Sequence, residues 1–332
     1  MKQRILGRHG LPVSALGLGC MGMSDMYGAT ERSESLATVH AALDDGISLL
    51  DTGDFYGMGH NEMLLGEALA GRPRDSYQLS VKFGAQRGPD GAWLGYDARP
   101  AALKTALAYS LKHLRTDYID VYRPARLDPN VPIEDTVGAI GELIQAGYVH
   151  QLGLSEVSAS TIRRAHAVVP VADLQIEYSL ISRGIEPAIL PACRELGIGV
   201  TAYGVLARGL ISGHWSKDRS SGGHDFRVHS PRFKGENLDH NLALVELLRG
   251  LAEARGVSVA QLAIAWVLAR GEDIVPLVGA RTRTRLAEAL GALDIGLSAD
   301  DLAAIEQAVP PGAAAGERYN SQGMASLDSE RG

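Results

Sequence analysis

Asp51 and Tyr56 lie in the run Asp51-Thr52-Gly53-Asp54-Phe55-Tyr56-Gly57, and Lys82 lies in Val81-Lys82-Phe83-Gly84. Each run ends a short apolar stretch that reads as a β-strand, so all three residues stand at strand ends, where side chains can converge on one cavity. A cation beside a phenol favours the phenolate and lowers the phenol pKa from about 10, while a neighbouring carboxylate keeps the lysine charged in a low-dielectric site. A tyrosine tuned in this way can donate and accept a proton near neutral pH. The same residues also fit a structural Asp–Lys ion pair beside a core tyrosine, and spacing alone does not choose between the two.

A second pattern competes for attention. Gly17, Gly19 and Gly22 spell G-x-G-x-x-G after a strand pattern, with Asp44 about twenty residues on, as a Rossmann dinucleotide fingerprint requires. In that fingerprint the third glycine is already inside a helix. Here residues 23–28 read as a loop and the helical pattern starts near Glu31, so we expect a barrel strand rather than a Rossmann turn.

The elements that must hold these residues alternate along the chain. Strand patterns cover 14–20, 47–53, 77–84, 118–124, 149–155, 173–179, 197–204 and 273–279, and helical patterns cover 31–46, 61–71, 99–115, 132–147, 158–169, 185–197, 258–270 and 281–290. Eight strand–helix units predict an α/β fold of the (β/α)8 TIM-barrel type, with two extra helices at 241–255 and 298–309. Such a barrel carries its chemistry at the C-terminal ends of its strands. A single barrel domain over 1–310 and a tail over 311–332 are expected, the tail poorly ordered or closing a pocket. The polar stretch 211–241 reads as a flap over the active face.

Composition narrows the function class. With 32 Lys+Arg against 39 Asp+Glu, the 332-residue chain has a formal charge of -7, which argues against nucleic-acid binding. Hydrophobic residues at 45% and charged residues at 21% are enough to bury a full core. Cys20 and Cys193 make neither a disulfide framework nor a metal-ligand spacing, which fits a reducing cytoplasm. No window approaches the ~18 apolar residues of a membrane span. The apolar stretch 11–23 is broken by Pro12 and glycines and lacks a cleavage site, so it reads as structure and not as a signal peptide.

Over essentially the whole chain the sequence resembles the aldo-keto reductase family. The matching blocks are 13–24 (VSALGLGCMGMS), 51–65 (DTGDFYGMGHNEMLL), 81–84, 117–129 (DYIDVYRPARLDP), 153–156, 175–180 (QIEYSL), 203–213 (YGVLARGLISG) and 274–290. The resemblance implies a barrel capped below by an N-terminal hairpin at 2–9, binding NADPH or NADP without a Rossmann fold. It makes Tyr56 the general acid, with Lys82 and Asp51 tuning it. Gly22 and Met23 match positions along the nicotinamide ribose, and Asp51 is counted with the cofactor positions as well. Ser155 and Gln175 match a carboxamide clamp, and Tyr203 matches the aromatic under the nicotinamide ring. Gly204, Leu206, Arg208, Gly209 and Leu210 match the loop around the pyrophosphate, where backbone N–H groups suit anions. Gly279, Arg281, Arg285 and Glu288 match the adenosine end. Arg281 and Arg285, four apart on one helix face near its N-terminus, favour a 2'-phosphate, whereas Arg283 reads as surface.

The chain departs from the family at three places. Pro124, Ala125 and Arg126 stand where Gln-His-Arg is usual, so the histidine that polarises the carbonyl is replaced by Ala125. Glu156 and Ala289 stand where Asn is common. His224 and His229, in the flap, read as surface residues, and no histidine–carboxylate spacing suggests a metal. Tyr27, Trp93, Ala125 and Arg126 are the candidates for the substrate pocket. The leading expectation is an NADPH-dependent reductase of small-molecule aldehydes or activated ketones, with neither nucleic acid nor membrane as partner. An NADP(H)-binding sensor or accessory subunit is the alternative, favoured by loss of the histidine and opposed by retention of Tyr56, Lys82 and Asp51. A cofactor-free barrel hydrolase would make both the arginine and the pyrophosphate blocks coincidence.

Overall fold

A computed structural model of the chain describes residues 1–8, 10–24, 27–216 and 225–331. Its first element is an antiparallel hairpin, β1 (Gln3–Ile5) on β2 (Pro12–Ser14), with Arg4 opposite Val13. The hairpin presses on the barrel from below. Gly7 has φ +76°, and a Cβ there would lie 2.4 Å from the Ala172 carbonyl oxygen, so this approach needs glycine. Arg4 is buried and donates to the carbonyl oxygens of Gly271 at 3.0 Å and Leu268 at 2.9 Å.

There follow β3 (Gly17–Gly19), α1 (Arg32–Asp44), β4 (Leu49–Gly53), α2 (His60–Ala68) and β5 (Gln78–Phe83). A small antiparallel hairpin, β6 (Ala85–Arg87) with β7 (Trp93–Tyr96), then precedes α3 (Pro100–Leu114) and β8 (Ile119–Pro124). Next come α4 (Ile133–Gln145), β9 (Val149–Ser155), α5 (Ala159–Val168), β10 (Val171–Glu177), α6 (Ile189–Leu196) and β11 (Gly199–Tyr203). The chain ends with α7 (Gly235–Glu253), α8 (Val259–Ala269), β12 (Ile274–Val278), α9 (Arg283–Leu290), α10 (Ala299–Ala308) and α11 (Ser321–Ala325).

Strands β3, β4, β5, β8, β9, β10, β11 and β12 form a closed barrel, in which β12 returns to β3 with Leu277 opposite Gly17 and Val278 opposite Leu18. All neighbours are parallel, so this is the (β/α)8 TIM barrel. The period of two along each strand divides the core. Leu49 points inward to join Val121, Val275 and Leu277 over Leu6 and Val13 of the hairpin region, while Leu50 faces the helical layer. Helix α8 is almost entirely apolar, which matches the burial of most of its length, and it starts in a reciprocal Ser258–Gln261 capping box.

Several boundaries differ from the expectation. The strand expected over 14–20 is two pieces, because Ser14 belongs to the hairpin and its hydroxyl donates to the Leu16 carbonyl at 2.6 Å, turning the chain. Helix α7 begins at Gly235 and not at 241, since its first turns are polar apart from Leu238 and carry little periodic signal. The β6–β7 hairpin has no counterpart in the sequence reading. The Rossmann pattern resolves into β3 and a tight 3-10 turn at Met21–Met23, and Asp44 pairs with Arg72 at 2.8 Å at the end of α1, far from any ribose role. Among the described residues no helix is long and apolar enough to cross a membrane.

Candidate active site

Asp51 on β4 and Lys82 on β5 point into the upper barrel and are both nearly fully buried. Lys82 Nζ donates to Asp51 Oδ1, and Asp51 Oδ2 accepts from Ser80 Oγ at 2.9 Å and Gln175 Nε2 at 2.6 Å. Tyr56 follows β4 in a turn where Gly57 and Gly59 take φ +58° and +88°, which brings its ring back over the barrel. The ring centroid lies 5.1 Å from Lys82 Nζ, and Phe55 packs edge-on at 4.7 Å. Asp51, Tyr56 and Lys82 therefore meet.

The electrostatics differ from the simple expectation of a lowered phenol pKa. Burial, and then the charge of Asp51, push the Tyr56 phenol well above its ordinary value, with Arg126 opposing. Burial also lowers the Lys82 ammonium pKa, which Asp51 resists and Arg123 and Arg126 assist. The arrangement favours the protonated phenol.

Beneath this group sits a charged layer that sequence reasoning missed. Arg123 of β8 is fully buried, ion-paired with Asp173 of β10 at 2.5 Å, and donates to Ser80 Oγ at 2.8 Å. Thr201 Oγ1 completes the layer by donating to Asp173 Oδ1 at 2.6 Å. Ser80 thus links the Arg123–Asp173 pair to Asp51. The signal was present in the charged residues Arg123 and Asp173, which stand inside otherwise largely apolar strand patterns.

Glu156 follows Ser155 at the end of β9 with φ +52°. It accepts from the Glu177 amide at 2.9 Å, Tyr203 Oη at 2.7 Å and Ser329 Oγ at 2.7 Å, and from Arg318 at 2.9 Å. Burial would raise its pKa, but Arg318 and then Arg126 bring the carboxyl down to about 2. Arg318 also meets Glu177 at 3.2 Å and Glu330 at 2.6 Å. The tail over 311–331 thus folds onto the barrel mouth instead of remaining loose. Tyr319 Oη is 2.9 Å from Tyr203 Oη, and its ring lies 4.2 Å from the Arg208 guanidinium.

The cofactor positions fall into two groups. Gly22 lies against Arg281, whose Cγ would be 3.2 Å from a Cβ built there, and Met23 is buried in the core. Gln175 gives its amide nitrogen to Asp51, while Ser155 Oγ accepts from Arg126 at 3.4 Å. After Tyr203, Gly204 (φ +66°) leads through Leu206 into a 3-10 turn where Arg208 and Gly209 are left-handed at φ 60° and 94°, and Leu210 is buried. At the far end, Arg281 precedes the helix and does not share a helix face with Arg285, because Thr282 caps α9 by accepting from the Arg285 amide at 3.3 Å. Gly279 is exposed, Arg281 donates to the Tyr27 carbonyl at 3.0 Å, and Arg285 pairs with Glu288 at 2.9 Å. Glu288 also meets His214 at 2.9 Å, and Arg283 pairs with Glu34 on the surface. Ala289 belongs to the core.

Of the pocket candidates, Tyr27 lies close to Arg208 and Arg227, and burial raises its pKa to about 12. Ala125 is buried, its amide donating to the Phe83 carbonyl at 2.8 Å. Arg126 donates to the Ala125 carbonyl at 2.6 Å and to Tyr319 Oη at 3.4 Å. Trp93 instead stands on the β6–β7 hairpin with 39% of its surface exposed, edge-on to Tyr96 at 5.1 Å. His229 is exposed, and His224 lies outside the described residues.

Relatives share this architecture. The model of the Aldo/keto reductase family matches residues 15–310. The Glycine max protein named "Probable aldo-keto reductase 1" is 43% identical over 317 residues, spanning 95% of this chain and 90% of that protein. The solved structure of a glycerol dehydrogenase from Gluconobacter oxydans has a TM-score of 0.83 at 32% identity, covering 92% of this chain and 94% of that one. An aldo-keto reductase from Klebsiella pneumoniae, solved in complex with NADPH, gives 0.74 at 28% identity, covering 94% and 96%. With a family match over nearly its whole length, the same closed barrel, and Asp51, Tyr56 and Lys82 together at the barrel mouth, the chain belongs to the aldo/keto reductase family of oxidoreductases.

Proposed function

We propose that the protein is an NADPH-dependent reductase of aldehydes or activated ketones, in which Tyr56 protonates the carbonyl oxygen. The observation that carries this reading is the meeting of Tyr56, Lys82 and Asp51 at the C-terminal end of a closed barrel. Bound NADPH would supply the hydride. The residues present fit that cofactor: left-handed backbone at Arg208 and Gly209 suits a pyrophosphate, and Arg281 and Arg285 flank the capped N-terminus of α9, which suits a 2'-phosphate. The NADPH-bound Klebsiella pneumoniae relative supports the same choice. Ser155, Gln175 and Tyr203 would hold the nicotinamide end, with Glu156 committed to Arg318.

Within the chain the work is divided. The raised pKa of Tyr56 keeps its proton on the phenol until a substrate oxygen gains negative charge. Lys82 and Asp51 hold a fixed dipole beside that phenol, and Ser80 with the Arg123–Asp173 pair fixes Asp51 from below. In this reading Tyr27, Ala125 and Arg126 bound the approach, and a small carbonyl compound is the substrate class that suits the site.

One observation favours the second reading, a cofactor-binding sensor with little turnover: Ala125 offers only a methyl group where the family resemblance calls for histidine. The experiment is a single-turnover measurement of the absorbance of protein-bound NADPH on adding a simple aldehyde. Rapid loss supports the reductase. Stable NADPH in the presence of a range of aldehydes supports the sensor.

A further inference from the structure

Arg126 differs from the other arginines at the barrel mouth. Arg208, Arg232 and Arg318 all meet the Glu177 carboxylate, at 3.5, 3.7 and 3.2 Å. Arg126 makes no ion pair among the described residues. Its hydrogen bonds go to neutral oxygens: the Ala125 carbonyl at 2.6 Å, Ser155 Oγ at 3.4 Å and Tyr319 Oη at 3.4 Å. Its Nε is buried without a hydrogen-bond partner. The Glu156 carboxylate acts on the Arg126 charge from beyond ion-pair distance, but a buried N–H with no acceptor is costly unless a ligand oxygen takes it up.

The position of this charge matters as much as its unused donor. It is close enough to act on both Tyr56 and Lys82, opposing the rise in one pKa and adding to the fall in the other. The preceding residue, Ala125, is buried and pinned to Phe83 through its backbone, and its methyl group offers no hydrogen-bond donor of its own. Tyr319 of the tail holds one end of the guanidinium from above, and Tyr319 is itself seated on Tyr203 and Arg208.

We infer that Arg126 is the second hydrogen-bond donor to the substrate's carbonyl oxygen, working opposite Tyr56 and held in place by Tyr319. This rests on the reductase reading above and deepens it. The oxygen becomes negatively charged as the carbonyl carbon is reduced, and a preorganised cation in a dry pocket stabilises that charge more in the transition state than in the ground state. Arg126 is then a catalytic residue and Tyr319 a positioning residue.

The test compares the intact protein with Arg126→Met, Arg126→Lys and Arg126→Ala, using one neutral aldehyde and one aldehyde bearing a carboxylate. The expected result for Arg126→Met is a fall of about a hundredfold or more in kcat with both substrates, and little change in NADPH affinity. Arg126→Ala should regain part of its kcat when guanidinium chloride is added at non-denaturing concentration, and an equal amount of sodium chloride should not restore it. Should Arg126→Met not fold, Arg126→Lys carries the test, since it keeps a cation and should lose less kcat than Arg126→Ala. Tyr319→Phe should lower kcat severalfold without changing NADPH affinity. The inference is overturned if Arg126→Met retains kcat within about threefold, if its loss is confined to KM for the carboxylate-bearing aldehyde, or if NADPH affinity falls in step with kcat. If the intact protein reduces no aldehyde while binding NADPH, the reductase reading itself fails and this inference falls with it.

Discussion

Arg318 Nη2 donates to Glu156 Oε2 at 2.9 Å, joining the C-terminal tail to the end of β9, 162 residues earlier in the chain. Both side chains are withdrawn from solvent, at 10% and 0% exposure, so this is a buried ion pair and not a surface contact. The Tyr203 hydroxyl donates to the same carboxylate at 2.7 Å, and Tyr319 contacts Tyr203 from the tail side. One carboxylate thus organises the barrel mouth around Tyr203 and the segment that covers it.

Removing one member of a buried pair leaves the other charge stranded and typically costs about 3 to 5 kcal/mol. Glu156→Gln should lower the melting temperature and raise amide exchange across 318–331 above that of the barrel strands. The acid limit follows from the same contact. The folded-state pKa of Glu156 is depressed to about 2, so its contribution is present above the ordinary value of about 4.3 and is lost as pH falls through the folded value. Tail protection, taken relative to the intrinsic exchange rate at each pH, should be full at pH 5 and fall as pH drops toward about 2. Equal exchange in Glu156→Gln and the intact protein would show that the pair does not hold the tail.

Cofactor choice should favour NADPH over NADH, read by tryptophan quenching. Arg285 is half exposed and already shares Glu288, so its loss should sit at the low end of a charge-assisted contact, about 1 kcal/mol. Arg285→Ala should then weaken NADPH binding roughly fivefold while leaving NADH binding unchanged. Equal affinity of the intact protein for both cofactors would contradict the 2'-phosphate assignment.

On the reductase reading, the methyl group of Ala125 leaves unmade the histidine hydrogen bond to the carbonyl oxygen that the family resemblance implies, even with Arg126 as a donor there. Losing one such donor in a dry pocket costs roughly 3 to 4 kcal/mol of transition-state stabilisation, which weighs most on unactivated ketones. Ala125→His should therefore raise kcat/KM for a small ketone more than for a matched aldehyde, with NADPH saturating. An unchanged ketone-to-aldehyde ratio in a folded, NADPH-binding variant would show that the site is limited elsewhere.

The barrel and its principal residues were legible because they rest on local patterns. Strand periodicity gave β4, β5, β8 and β9 close to their observed limits, and the position of Tyr56 just past β4 follows from the same pattern. The tail was not legible: its Ala/Gly/Ser-rich start carries no periodic signal, and what anchors it, Arg318 between Glu156 and Glu177, is a long-range contact invisible to local reading. The same holds for Arg123 and Asp173, which face each other only once β8, β9 and β10 are neighbours. The direction of the Tyr56 pKa shift was misjudged for a related reason. Adjacency to Lys82 was foreseeable, but the depth of burial and the charge of Asp51, which outweigh it, depend on closure of the barrel.

The central claim is that Tyr56 is the proton donor, and it is tested most directly by Tyr56→Phe measured for NADPH affinity and for kcat with an aldehyde across pH. The account predicts near-normal NADPH affinity and a loss in kcat of about a hundredfold or more. In the intact protein, the raised phenol pKa keeps the proton in place, so reduction should hold steady through neutral pH and decline only above about pH 10, the ordinary value for tyrosine. A Tyr56→Phe variant that kept most of its kcat, with the same pH profile as the intact protein, would contradict the account and place the proton donor elsewhere.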